Sequence, residues 1–313
     1  MKRLLFALMM LIAAPAMADP TREVPEVSTG KIVDLGVVHS RYADPRRVVV
    51  WLPEGYDPKG KPYAVLYMHD GQNLFDKATA GYGMEWEIDE VAGRLMRERK
   101  MRPTIVVGIW NTPKRLQDYV PAKGFSALPP RYRDGVRALY GGKPLSDGYL
   151  KFLVRDLKPM IDRRFNVRND RANTAILGSS MGALISLYAM DEYPTVFGGA
   201  GAMSTHWPTL KSAPGTNPPD ADADAVSQSF RQYLSATLPS PLTHRLYLDD
   251  GSEMQDLQYA RAKRGIVHLL EAHGYRQGRT LMVRNFPGQK HNEISWASRV
   301  DHALMFLLPP AAK

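Results

Sequence analysis

A serine set among glycines, Gly178-Ser179-Ser180-Met181-Gly182, follows the apolar run Thr174-Ala175-Ile176-Leu177. It opens a segment in which Met181, Leu184, Ile185, Tyr188 and Ala189 recur at helical spacing. The G-x-S-x-G pattern therefore falls where a strand turns sharply into a helix. Glycines leave room for such a turn, and the turn would hold the Ser180 hydroxyl above a sheet as a nucleophile. The helix start would also offer backbone N–H groups, that of Met181 first, to a developing oxyanion. A glycine-rich turn with an incidental serine would do none of this, so the other members of a catalytic set must be sought elsewhere in the chain.

A serine hydroxyl needs a base to take its proton, and in a strand–helix fold of this kind the chain order is serine, acid, histidine. His291 follows the strand-like Leu281 to Phe286 and the turn Pro287-Gly288-Gln289, and it precedes a last helical pattern, so it is the expected base. His39, His244, His268, His273 and His302 fall on early, strand or helical segments with no link to the serine turn. The acid should follow the strand His244 to Leu248, whose exit reads Asp249-Asp250-Gly251-Ser252-Glu253-Met254-Gln255-Asp256. It must hold the imidazole tautomer and stabilise the imidazolium. Asp256 and Glu253 lie past the glycine and can turn back, whereas Asp249 is at the strand tip. Asp256 is the preferred acid, with Asp249 and Glu253 as alternatives. A second oxyanion donor is expected after an early strand. Tyr63 to Met68 leads into His69-Asp70-Gly71-Gln72-Asn73, so the Gln72 backbone N–H is paired with that of Met181. No second histidine or carboxylate pair stands at ligand spacing from His69, and neither a metal nor a cofactor is expected.

The elements that must position these residues alternate in type. Val48 to Leu52, Ala64 to Met68, Ile105 to Ile109, Thr174 to Leu177 and Arg245 to Leu248 read as strands, most of them apolar throughout, as buried parallel strands are. Helical patterns cover Glu85 to Arg99, Asp147 to Arg164, Met181 to Glu192, Gln255 to His273 and Ser295 to Leu308. Strand and helix in alternation predict an α/β fold, a central mostly parallel sheet with helices on both faces and ligands at the carboxyl ends of its strands. Pro121 to Pro144 and Lys211 to Ala225 are rich in proline and glycine and read as two long surface excursions.

Leu66-Tyr67-Met68-His69-Asp70-Gly71-Gln72-Asn73-Leu74-Phe75, the serine pentapeptide, Asp249-Asp250-Gly251-Ser252 and His291-Asn292-Glu293 with Trp296 together resemble the esterase family that includes enterochelin and other siderophore esterases, feruloyl esterases, esterase D and the antigen 85 mycolyltransferases. The resemblance runs from about Val48 to Leu308. It implies an α/β-hydrolase fold and metal-free serine acyl chemistry, with Ser180 and His291 as nucleophile and base and amide donors at Gln72 and Met181. It leaves the acid open. Related sequences often carry a carboxylate shortly after the glycine equivalent to Gly251, where this chain has Met254, and some siderophore esterases use a serine–histidine pair alone. The resemblance also points to Trp86, Glu87, Asn111, Arg115, Tyr119, His206 and Trp207 as rim residues. Of these, Trp86, Arg115 and His206 are the expected substrate contacts, with tryptophan rings stacking on an aromatic or sugar ring and Arg115 meeting an anionic group. Glu293 and Trp296 would pack the histidine loop.

Composition narrows the setting. Lys2 and Arg3, the apolar run Leu4 to Ala14 and the small-residue end Ala16-Met17-Ala18 have the layout of a secretory signal peptide, with the mature chain starting near Asp19. The expected organisation is a signal over 1–18, a lead-in segment over 19–45 and one catalytic domain over 46–313, exported to the periplasm or medium without stable membrane insertion. There are no cysteines, so disulfides and thiol catalysis are excluded. The formal charge of +9 is spread along the chain rather than gathered in an aromatic-interleaved block, which argues against nucleic acid as partner. The expected partner is a small or carbohydrate-linked ester. Rival readings are acyl transfer to an alcohol or sugar, and a non-catalytic binder on the same scaffold.

Overall fold

Val65 and Tyr67 pack into one apolar core while Ala64, Leu66 and Met68 pack into a second, so their strand is apolar on both faces and shows no polar alternation. The computed structural model describes residues 24–126, 128, 130–208, 220–253 and 255–310. The expected signal peptide and the proline-rich stretch 209–219 lie outside these residues.

Eight strands form one sheet: β1 (Lys31–Val38), β2 (Arg46–Leu52), β3 (Ala64–His69), β4 (Thr104–Ile109), β5 (Thr174–Ser179), β6 (Gly199–Met203), β7 (Arg245–Asp250) and β8 (Leu281–Asn285). Their order is β1-β2-β4-β3-β5-β6-β7-β8. The pairs β1–β2 and β2–β4 are antiparallel and all others parallel, so the sheet is mostly parallel, as expected.

The helices are α1 (Ile88–Arg97), α2 (Arg115–Tyr119), α3 (Pro130–Leu139), α4 (Ser146–Lys151), α5 (Lys158–Arg164), α6 (Met181–Glu192), α7 (Asp220–Thr237), α8 (Gln255–Ala272), α9 (Glu293–Ala297) and α10 (Val300–Leu307). A wider helical turn over Phe152–Leu157 joins α4 to α5. Side chains of α6, α7 and α8 cover one face and those of α1 and α10 the other. Helix α6 is buried along all but its last residue, which is why it is apolar around its whole circumference.

Three expectations need correction. The excursion Pro121 to Pro144 contains α3, whose Tyr132 and Val136, with Tyr140 just beyond, are buried at a four-residue interval. Pro130 opens this helix and Gly141, at φ 75°, follows its end, so residues read as breakers are the helix's boundaries. The second excursion gives way at Asp220 to α7, which buries Val226, Phe230 and Leu234. The helix expected over Ser295 to Leu308 is two helices. They part at Arg299, whose φ of −137° turns its side chain into a buried ion pair described below.

Candidate active site

Strand β5 ends at Ser179 and α6 begins at Met181, leaving Ser180 alone in the turn at φ 54° and ψ −120°. That backbone region costs a non-glycine residue about 1–3 kcal/mol and persists only where the surroundings enforce it. Contact requires glycine at 178 and leaves little room for a side chain at 182. A Cβ on Gly178 would lie 2.7 Å from the Gly182 carbonyl carbon, and one on Gly182 would lie 3.2 Å from His69 Cβ and 3.3 Å from Asp70 Oδ2. The Ser180 N–H donates to the Met203 carbonyl at 3.0 Å, and the His206 N–H donates to the Ser180 carbonyl at 3.1 Å. The Met181 N–H is the first of α6, one of the leading amides that have no partner inside a helix.

His291 lies just before Asn292, whose side chain caps α9 by accepting from the Ser295 N–H. The edge of its ring packs on Trp296 at 5.1 Å, and Trp296 packs on Trp86 at 5.5 Å. Asp256 stands in the first turn of α8 and meets the imidazole, with Nδ1 2.8 Å from Oδ1. Its other oxygen accepts from the Ser204 hydroxyl at 2.8 Å and the Gly251 N–H at 2.6 Å. Gly251 has to be glycine, because a Cβ there would sit 2.2 Å from the Gln289 carbonyl oxygen of the histidine loop. Burial pushes the Asp256 carboxyl up, but His291, Ser204 and the Gly251 amide outweigh it and hold it below the ordinary carboxylate value. An ionised Asp256 can only accept, so Nδ1 carries the proton and the Nε2 lone pair is left as a base. Ser204 directly follows Met203, so two consecutive residues at the end of β6 tie the serine turn to the acid.

The other two candidate acids have different surroundings. Asp249 shares the inward face of β7 with Tyr247, which donates to it at 3.0 Å, and forms an ion pair with Arg299 at 3.3 Å in which both side chains are essentially sealed from solvent. Glu253 is exposed, and its N–H bonds to the Gln289 carbonyl.

The expected oxyanion loop is a 3-10 turn over Gly71–Asn73, so Gln72 sits at its middle. Asp70 enters it at φ 55°, and Arg115 grips both carboxylate oxygens of Asp70 at 2.7 Å. Asn111 donates to Asp70 at 2.7 Å through its side chain and to Gln72 Oε1 at 3.3 Å through its backbone. Burial pushes Asp70 up, while Arg115 and Asn111 bring it net below its ordinary value. His69 bonds Tyr149 of α4 through Nδ1 at 2.7 Å, and burial depresses it to about 3, so it is neutral. Asn73 donates to Glu293 at 3.2 Å, joining this loop to the histidine loop.

Residues 40–292 match the family model described as "Putative esterase". The chain belongs to this family. Ferri-bacillibactin esterase BesA of Bacillus subtilis (strain 168) is 28% identical over 158 residues, which are 48% of this chain and 50% of that protein. The chain spans about half the length of the curated relatives it matches. Among solved structures, a ferulic acid esterase superposes with a TM-score of 0.60 at 20% identity, covering 90% of this chain and 98% of that one. The enterobactin esterase FES of Shigella flexneri, in the presence of enterobactin, superposes with a TM-score of 0.59 at 17% identity over 93% of this chain and 61% of that one. These likenesses give the fold, which is of the α/β-hydrolase type.

Within this esterase-family fold the expected rim residues face inward more than the sequence suggests. Trp86 is 3% exposed and backs the ring that supports His291. Arg115 has Asp70 as its partner, not an open anion pocket. His206 accepts or donates one bond at Nδ1 to Tyr259 at 2.8 Å, and burial, then the charges of His291 and Arg115, depress it to about 3. Its Nε2 is buried and has no hydrogen-bond partner among the described residues. Tyr119 and Trp207 are buried, while Glu87 is exposed ahead of α1. Sequence reasoning missed Ser204 and Arg299. Arg299 carried one signal, a lone cation in a terminal segment otherwise rich in apolar residues. Ser204 carried none.

Proposed function

We propose that this chain is a serine carboxylic-ester hydrolase working through an acyl-enzyme. The Ser180 hydroxyl oxygen attacks the ester carbonyl carbon while His291 Nε2 takes its proton, and the carbonyl oxygen becomes an oxyanion between the Gln72 and Met181 amides. His291 then gives the proton to the departing alcohol oxygen as the carbon–oxygen bond breaks. Water repeats the cycle on the acyl-serine and releases the acid. Asp256 keeps the proton on Nδ1 and balances the transient imidazolium. The observation that carries this reading is the Asp256–His291 bond, anchored by Ser204 to the strained turn that presents Ser180. Each oxyanion donor is worth about 3 kcal/mol of barrier, which gives a physical purpose to the bidentate grip on Asp70 beside Gln72.

The relatives' names favour ester substrates of the siderophore or feruloyl kind. The test is labelling with a fluorophosphonate probe, alongside hydrolysis of p-nitrophenyl, cinnamoyl and catecholate-lactone esters by wild type and Ser180→Ala. Stoichiometric labelling lost in the folded variant is the expected result. A wild-type protein that neither labels nor turns over any of these esters overturns the reading in favour of a binder. The same proposal has the chain exported. Amino-terminal sequencing of the secreted or periplasmic protein should begin near Asp19, and a chain retained in the cytoplasm with Met1 intact would refute that part.

A further inference from the structure

Four arginines that are far apart in sequence meet at the end of the sheet opposite the serine. Arg102 precedes β4, Arg171 precedes β5, Arg245 opens β7 and Arg279 precedes β8. Together with Thr243 and Thr280 they line a cleft of about 390 Å³ at the amino-terminal edge of the parallel strands. Ser180, Ser204, Asp256 and His291 all follow the carboxyl ends of β5 to β8, so the cleft is separated from them by the length of the strands.

The partners recorded for this cluster are neutral groups. Arg46, Arg47, Arg115 and Arg299 each pair with a carboxylate. None of the four cleft arginines forms an ion pair among the described residues. Arg102 is held by neutral acceptors, the Pro309 carbonyl at 2.7 Å, Asn173 Oδ1 at 2.8 Å and the Ala172 carbonyl at 3.3 Å. Arg245 donates to the Phe306 carbonyl at 3.2 Å and lies over the Phe306 ring at 5.8 Å. Such contacts fix a guanidinium without cancelling its charge. Burial first, then the charges of Arg245 and Arg168, hold Arg102 below its ordinary value, with Asp170 acting in the opposite sense. Four guanidinium groups brought to one cleft from separate elements, with two threonines beside them, supply the donor chemistry that a tetrahedral oxyanion with several acceptor oxygens takes.

We propose that this cleft is a binding site for a phosphate-bearing anion, separate from the ester site. The phosphate could belong to a soluble phosphoester or to a lipid headgroup. Leu242, 92% exposed at the cleft's lip, makes the second source worth a separate arm.

The full mature chain is titrated with inorganic pyrophosphate by calorimetry at low and moderate salt, and floated with phosphatidylglycerol or phosphatidylcholine vesicles. The comparison is Arg245→Gln/Arg279→Gln, with Arg279→Gln alone as the milder variant should the double one fail to fold. Saturable one-to-one pyrophosphate binding, weakened about tenfold or more by the substitutions and by salt, is expected. Hydrolysis of a reporter ester should be unchanged, so this proposal and the serine mechanism fail independently. Flotation with phosphatidylglycerol only, lost in the variant, assigns the phosphate to lipid, whereas pyrophosphate binding without flotation assigns it to a soluble ligand. The proposal is overturned if wild type binds neither probe, or if the variants bind as wild type does.

Discussion

Asp249 and Asp256 stand at the exit of one strand, both buried, both touching Ser204, and they have been given opposite partners. Asp249 faces a guanidinium that keeps its charge at any pH the protein meets, while Asp256 faces an imidazole that can lose and regain a proton. The first pair is static and joins β7 to the turn before α10. The second is a charge pair only when the imidazole is protonated, so its charge balance depends on where one proton resides. Carboxylate burial alone does not distinguish the two; the chemistry of the partner does.

The largest effect should come from breaking the second pair. Asp256→Asn keeps the size and one acceptor but removes the charge that holds the proton on Nδ1, and kcat should fall roughly 10,000-fold, as loss of a triad acid does elsewhere. Stability measured by urea unfolding should change far less. A variant that retains kcat within about tenfold of wild type would mean that Ser180 and His291 act as a pair without it.

The converse substitution should invert that pattern. Asp249→Asn leaves Arg299 charged and sealed from water, a loss of about 3–5 kcal/mol of folding stability. Turnover per folded molecule should fall much less than in Asp256→Asn. If Asp249→Asn instead unfolds at the wild-type urea midpoint while losing activity, the division of labour between the two carboxylates is wrong.

How much of this was legible before the structure depends on how far the deciding residues are from one another in sequence. The sharp turn at Ser180 and the meeting of Asp256 with His291 were expected from chain order and from the glycine that lets the loop turn back, which are local signals. The apolar strands β2 to β5, β7 and β8 were visible for the same reason. Strand β6 was not, since Gly-Ala-Gly-Ala-Met has little β propensity. Gly201 is there because a Cβ would come within 2.7 Å of Leu177 Cδ1 and 3.0 Å of Leu307 Cδ1, a packing demand from two distant segments. The partners of Trp86 and Arg115 inside the fold were not visible for a related reason. A tryptophan or an arginine near a strand end looks the same in sequence whether it meets solvent or, as here, Trp296 and Asp70. The arginine cleft is invisible along the chain, where its four members are scattered.

A third carboxylate sharpens the comparison by having no cationic partner bonded to it among the described residues. Among the described residues Glu293 accepts from Asn73 and its own backbone, and burial raises it from 4.5 to about 7. The folded protein therefore binds a proton there that the unfolded chain has released between pH 4.5 and 7. The resulting stability is fully present below the unfolded value and is lost as pH rises toward 7, on the order of 2–3 kcal/mol across the window. Glu293→Gln should remove that slope and make the variant the more stable protein at pH 8. Urea midpoints at pH 4.5, 6 and 8 check this, and parallel pH profiles for the two proteins would show that Glu293 is ionised in the fold.

The smallest effect is expected at the residue that touches both aspartates. Ser204, at φ 44°, gives its hydroxyl hydrogen to Asp256, receives Arg299 Nη2 at 2.7 Å on the same oxygen, and donates its N–H to Asp249. Ser204→Ala leaves the backbone bond and both ion pairs in place and removes only the hydroxyl bridge, which should cost about 1 kcal/mol of stability. It is a positioning residue, so its signature should be a kcat lower by about tenfold with KM unchanged, because Asp256 would still reach His291 but with one fewer bond holding its angle. An equal loss in KM and kcat would instead mean that the bridge only supports the local fold. No kinetic change at all would mean that the Gly251 amide and Gly251–Gln289 packing are enough to aim Asp256, leaving the two carboxylates independent of each other.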